Sequence, residues 1–203
     1  LLDLSLYLVA SRGNLSDESF LNILNEALKG GVSIVQLREK NLCTRDFYAL
    51  ALKVKALCAT FKVPFLINDR IDIAMAIKAD GVHLGQDDMP VNIARKMLGV
   101  DKIIGLSVQK LSQLENTAGA DYLGCGAVFQ TTTKESKVIN PAGLKALCDN
   151  SALPVVAIGG INLENIAQLK GIKLAGIAVV SAIMNAKEPL KAALKLKESF
   201  KNL

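Results

Sequence analysis

The chain has 203 residues, 51% of them apolar and none of them tryptophan, and a formal net charge of +5. That length suits one ordinary domain and lies near the lower limit for a full eightfold βα barrel. With aromatics at only 4% the core must be built from Ile, Leu, Val and Ala, as in a parallel sheet buried on both faces, and the absence of a dense basic run or an aromatic platform argues against nucleic acid as a partner.

Short apolar runs alternate with amphipathic stretches from end to end. Leu6–Ser11 is the first strand candidate, and Asp17–Lys29 follows as a helix with Phe20, Leu21, Ile23, Leu24 and Leu28 apolar and Gly30-Gly31 as its stop. Ser33–Arg38 is the second strand, and Thr44–Phe61 the second helix, with Thr44 as its expected cap. Phe65–Asn68, Gly81–Leu84, Ile103–Ser107, Tyr122–Phe129, Val155–Ile158 and Gly176–Ser181 continue the strand series. Asn162–Leu169 reads as a helix capped by Asn162, and Pro189–Phe200 as a lysine-rich surface helix. Strict alternation through eight strands predicts a single closed (β/α)8 barrel over residues 1–203, with an open doubly wound sheet as the alternative. Cys43, Cys58, Cys125 and Cys148 show no metal-ligand spacing and are expected as buried, reduced thiols. No signal peptide or membrane span is apparent, so a cytoplasmic location is expected.

Polar residues gather where the predicted strands end, which in a barrel is the rim that carries the active site. The second strand runs into Gln36, Arg38 and Lys40, whose alternation directs them to one side. Such groups inside a hydrocarbon barrel need a ligand or counter-charges, and a structural ion pair is the alternative. The third strand ends in Asn68-Asp69-Arg70, and the fourth leads into Gly85-Gln86-Asp87-Asp88. Carboxylates from adjacent loops can share Mg²⁺, which commonly takes one or two carboxylates and fills its shell with water and phosphate oxygens. Thr131-Thr132-Thr133-Lys134 offers hydroxyls and an ammonium, and the Gly159-Gly160 turn with Val180-Ser181 offers backbone N–H groups to a phosphate. His83, the only histidine, reads more readily as a satisfied strand residue than as a substrate contact.

The run Gly30–Lys40, the run Ile67–Ala74 and the run Ala79–Asp88 together resemble thiamine phosphate synthases. Gly119–Tyr122, Thr131–Lys134, Ala157–Ile161 and Val179–Ile183 continue the likeness in family order over nearly the whole chain. The resemblance implies a condensation of hydroxymethylpyrimidine pyrophosphate with hydroxyethylthiazole phosphate that releases pyrophosphate. It implies Mg²⁺ as cofactor, held by Asp69 and Asp88, of which Asp88 is chosen over Asp87 from the motif. Arg38, Lys40, Asn68 and Lys134 would bind the pyrophosphate with Gln36 and Ser107 nearby, and Arg38, Lys40, Lys134 and Ser107 are the catalytic candidates. Thr131, Thr133, Gly160, Val180 and Ser181 would hold the thiazole phosphate. The partners implied are these small molecules, with neither nucleic acid nor membrane. A related thiazole tautomerase would use a histidine after the fifth strand, where this chain has Gln109. A barrel that only binds thiamine precursors is the third alternative.

Overall fold

The computed structural model describes residues 2–131 and 137–203. Its eight strands are all parallel and close in sequence order, the first pairing with the last. They are β1 (Leu6–Ala10), β2 (Ile34–Leu37), β3 (Phe65–Asn68), β4 (Gly81–Leu84), β5 (Ile103–Val108), β6 (Tyr122–Cys125), β7 (Val155–Ile158) and β8 (Gly176–Val179). The helices outside them are α1 (Asp17–Lys29), α2 (Thr44–Thr60), α3 (Ile71–Ala76), α4 (Val91–Leu98), α5 (Asn140–Asn150), α6 (Ser181–Met184) and α7 (Pro189–Lys201). Short 3-10 helices, Leu111–Asn116 and Ile166–Leu169, stand on the outer layer after β5 and β7. This is the closed (β/α)8 barrel that the alternation predicts, not the open sheet. Among the described residues no helix is long and apolar enough to cross a membrane.

Local chemistry explains the best-defined helix. Ser16 caps α1 by accepting the N–H of Ser19 at 3.1 Å, while Asp17 and Glu18 open its first turn and Lys29 closes its last, as the helix dipole favours. Phe20, Leu24, Ala27 and Leu28 bury its inner stripe. Along the strands, period-two alternation divides the apolar residues into two cores. Leu6, Leu8 and Ala10 face the helices, whereas Tyr7 and Val9 join Ile34, Leu66, Tyr122, Val156 and Ala178 inside the barrel.

Some boundaries differ from the sequence expectation. β1, β2, β6 and β8 end earlier, since the extended chain continues beyond the last ladder hydrogen bond. The change is largest at β6, where Gly126-Ala127 is a cis peptide and Val128 and Phe129 bond instead to the carbonyls of Ile158 and Gly159. The segment after β7 is a turn held by Asn162 Oδ1, which accepts from Glu164 and Asn165, and only Ile166–Leu169 is helical. Cys43, not Thr44, caps α2, and the Thr44 hydroxyl instead accepts from Arg70 at 3.0 Å. Cys43 is exposed, so the expectation of four buried thiols holds for Cys58, Cys125 and Cys148 alone.

Candidate active site

Every second residue of a barrel strand points inward, and near the C-terminal ends these positions line one cavity of about 240 Å³. They include Val9 and Ser11 from β1 and its extension, Gln36 and Arg38 from β2, Asn68 from β3, and His83 and Gly85 from β4. Ser107 and Gln109, Gly124 and Gly126, Ile158 and Gly160, and Ala178 and Val180 complete the circle. Below them the barrel interior is filled by the apolar cluster that contains Tyr7 and Tyr122.

The structure brings Gln36, Arg38, Asn68, Ser107, Thr131, Gly160, Val180 and Ser181 to this one cavity. Thr133 and Lys134 lie outside the described residues. The Arg38 guanidinium makes no ion pair among the described residues, whereas Lys40 reaches the Asp69 carboxylate. The ion-pair alternative therefore holds for Lys40 and not for Arg38.

Asp69 adopts a left-handed backbone (φ 52°), which Asp tolerates better than most residues. The tight turn that results includes an Arg70 N–H bond to the Asn68 carbonyl at 2.7 Å. Asp69 Oδ2 collects the Asn68 amide at 2.8 Å as well as Lys40, so a carboxylate, an amide and an ammonium meet at one point of the rim. On the next loop Asp88 Oδ2 accepts the Gly85 N–H at 2.6 Å, and Asp87 is the aspartate that lines the cavity. Gln86 crosses to β5, donating to the Ser107 carbonyl at 2.6 Å.

The opposite wall is backbone. Gly159 and Gly160 both have positive φ (100° and 68°), a conformation glycine adopts without steric cost. A side chain at Gly160 would also strike the Gln130 carbonyl at 2.4 Å, so two demands converge there. Asn165 Nδ2 pins the Gly160 carbonyl at 2.8 Å.

One part of the cavity joins residues far apart in sequence. Tyr7 and Tyr122 share a hydrogen bond of 2.7 Å inside the barrel, Gln36 Nε2 donates to Tyr7 at 2.7 Å, and Tyr122 meets His83 Nδ1 at 2.9 Å. His83 Nε2 in turn meets the Ser107 hydroxyl at 2.9 Å. Burial raises both phenols above the ordinary tyrosine value, so they remain protonated. The legible signal was glycine: a side chain at Gly105 would sit 2.2 Å from the Tyr122 ring, and one at Gly124 2.9 Å from His83.

Fold and cavity define the class: a (β/α)8 barrel with a cavity at its C-terminal mouth, lined from the ends of many strands. The sequence pattern of the family described as thiamine monophosphate synthase matches residues 6–183. The thiamine-phosphate synthase of Campylobacter jejuni strain RM1221 is 59% identical over 203 residues, covering 100% of this chain and 97% of that protein. The thiamine-phosphate synthase of Methanobrevibacter smithii is 52% identical, covering 98% of this chain and 97% of that protein. Among solved structures, the thiamine phosphate pyrophosphorylase of Pyrococcus furiosus superposes with a TM-score of 0.88 at 37% identity, covering 99% of this chain and 97% of that one. The chain belongs to the thiamine monophosphate synthase family, and it is an enzyme of thiamine biosynthesis.

Proposed function

We propose that the chain transfers the hydroxymethylpyrimidine group from its pyrophosphate to the ring nitrogen of hydroxyethylthiazole phosphate, giving thiamine phosphate and pyrophosphate. The observation that carries this reading is the pairing of two unlike walls around one cavity. Arg38 and Asn68 stand on one side, and the glycine turn with Val180 stands on the other. Two anionic substrates can therefore be held face to face.

The reaction breaks the pyrimidine methylene C–O bond, and the electron pair leaves with the pyrophosphate. The carbocation left behind is trapped by the thiazole nitrogen lone pair. Catalysis of this kind rests on positioned charge rather than on a nucleophile. Arg38, Lys40 and Asn68, with Lys134 beyond the described residues, would hold the pyrophosphate as charge grows on it. Thr131, Gly160, Val180 and Ser181, with Thr133 beyond the described residues, would hold the thiazole phosphate. Ser107 would sit beside the pyrimidine pyrophosphate with Gln36.

The rim also fits Mg²⁺. Asp69 already draws an ammonium and an amide to its carboxylate, and Asp87 and Asp88 stand on the neighbouring loop. A pair of carboxylates on neighbouring loops suits an ion that keeps water and phosphate oxygens in its shell. Asp69 and Asp88 would hold the metal, which when bound supplies neutralising charge to the departing pyrophosphate. Gln109, at the mouth of β5, weighs against the tautomerase alternative, which calls for a histidine there.

The test is pyrophosphate release and thiamine phosphate formation by the purified chain with both substrates, first with Mg²⁺ and then with excess EDTA. Both products, formed only with metal and both substrates, are expected. If no product forms under any condition, the synthase reading is wrong. Product formation undiminished in EDTA would remove the metal from it.

A further inference from the structure

Five side chains from five different strands form one continuous hydrogen-bonded path through the barrel interior. It runs from Gln36 on β2 through Tyr7 on β1, Tyr122 on β6 and His83 on β4 to Ser107 on β5. Its two ends, Gln36 and Ser107, and its fourth member, His83, line the cavity, while both tyrosines are wholly buried. Inward-facing Gly105 and Gly124 make room for the middle of the path. The ring of Tyr122 also lies between those of Tyr7 and His83, with centroids 5.8 and 5.6 Å away.

The direction of the protons along this path follows from donor counting. The Gln36 amide nitrogen faces Tyr7, so the Tyr7 oxygen accepts, and its own hydrogen needs an acceptor. The Tyr122 oxygen, 2.7 Å away, is that acceptor. Were Tyr122 to donate instead, the Tyr7 O–H would be buried without a partner, a costly arrangement. Tyr122 therefore sends its hydrogen to His83 Nδ1, which must be unprotonated to receive it. The imidazole proton then sits on Nε2 and points at the Ser107 oxygen. With that oxygen accepting from inside the barrel, the Ser107 hydrogen turns to the cavity.

We propose that Tyr7 and Tyr122 are positioning residues that order the protons of the pocket: through this one-way path they hold the His83 proton on Nε2 and commit the Ser107 hydroxyl to donate to the bound substrate. A donor whose direction is set beforehand stabilises an electron-rich substrate atom without reorganising during the reaction. Linked hydrogen bonds in a buried chain also polarise one another. Tyr122, nearest to the imidazole, governs the tautomer most strongly, and Tyr7 supports it at one remove. The kinetic part of this inference rests on the proposed synthase reaction; the protonation pattern does not.

Because the chain has a single histidine, a ¹⁵N spectrum of the histidine-labelled, substrate-free protein reads the pattern directly. The expected result is one neutral ring with Nε2 protonated and Nδ1 an acceptor in the wild type, and a loss of that preference in Tyr122→Phe. Protonation at Nδ1 in the wild type, as the reverse orientation of the path would give, overturns the proposal, as does an unchanged pattern in Tyr122→Phe. The milder Tyr7→Phe keeps the Tyr122 contact to the ring and should blur the preference less. A cycle on kcat supplies the second arm. Tyr122→Phe should lower kcat about tenfold, the size of one lost oriented hydrogen bond, with little change in KM. In a Ser107→Ala background the same change should add almost nothing, since the hydroxyl it orients is gone. Equal loss in both backgrounds would show that Tyr122 acts only through the fold. If the wild type forms no product, the synthase reading fails while the ¹⁵N result still decides the proton order.

Discussion

At the N-terminal mouth of the barrel, Asp80 and Phe65 exchange two hydrogen bonds. The Asp80 N–H donates to the Phe65 carbonyl at 3.0 Å, and its Oδ2 accepts the Phe65 N–H at 2.8 Å. Asp121 makes the same clasp with Ile104, at 2.7 Å in both directions, and Ser33 makes it with Leu6, at 2.9 and 3.1 Å. In each case a polar residue just before an even-numbered strand ties the start of the odd-numbered strand beside it. At the C-terminal mouth, by contrast, Arg38, Asp87 and Ser107 face an open cavity. One barrel thus ties Ser33, Asp80 and Asp121 to the backbone at one end and turns polar side chains into a cavity at the other. Two aspartates of the family-like motifs, Asp80 and Asp121, belong to the first end, so position within a motif does not by itself mark a residue as catalytic.

Changes at the two ends should separate stability from chemistry. The largest effect is expected from Arg38→Ala, which removes a cavity-facing cation and should lower turnover about 10²- to 10³-fold while leaving the melting temperature near its original value. A fall in stability matching the fall in turnover would erase the distinction. Asp121→Ala should do the opposite. It strips the side-chain partner from the Ile104 N–H and one of several partners from Arg95, held at 2.7 Å, and should cost roughly 1–3 kcal/mol in denaturant unfolding with per-molecule turnover retained.

An alkaline limit should come next. Burial pushes the Cys58 and Cys125 thiols up to about 12 and that of Cys148 up to about 11, from an ordinary 9.0. The unfolded chain therefore ionises first. Stability present below 9.0 is lost progressively as pH rises from there toward about 12, which thermal melts across that window will show. A melting temperature flat across the window would mean that these thiols are not held neutral by the fold.

The smallest effect concerns the fourth strand pair. Ala175 stands opposite Val155 in the register of the three clasps, and its N–H bonds the Val155 carbonyl at 2.8 Å, but its methyl group offers no oxygen to return the bond. Ala175→Ser should raise stability by about 0.5–1 kcal/mol. A neutral or destabilising result would limit the clasp to the pairs that already have it.

The same contrast explains what could be read from sequence. Buried parallel strands are uninterrupted apolar runs, so Phe65–Asn68, Gly81–Leu84 and Val155–Ile158 were legible to the residue. Period two then sent Gln36 and Arg38 into the cavity. What escaped depended on pairs distant in sequence. Tyr7 and Tyr122 lie 115 positions apart, and nothing local to either shows that they meet or that His83 joins them. Lys40 escaped for another reason, since β2 has ended by that point and the strand period no longer governs its direction. The segment after β7 carries a plausible cap in Asn162, but the Gly159-Gly160 turn and the Asn162 bonds take up the chain before a regular helix can begin.

The most direct test of the division between the two ends is thermal stabilisation by inorganic pyrophosphate with Mg²⁺, measured on the wild type, Arg38→Ala and Asp121→Ala. A ligand that binds only the folded state raises the melting temperature according to its affinity. The wild type and Asp121→Ala should rise by similar amounts from different starting points, and Arg38→Ala should rise little. An undiminished rise in Arg38→Ala would place the anion elsewhere and contradict the assignment of chemistry to the C-terminal mouth.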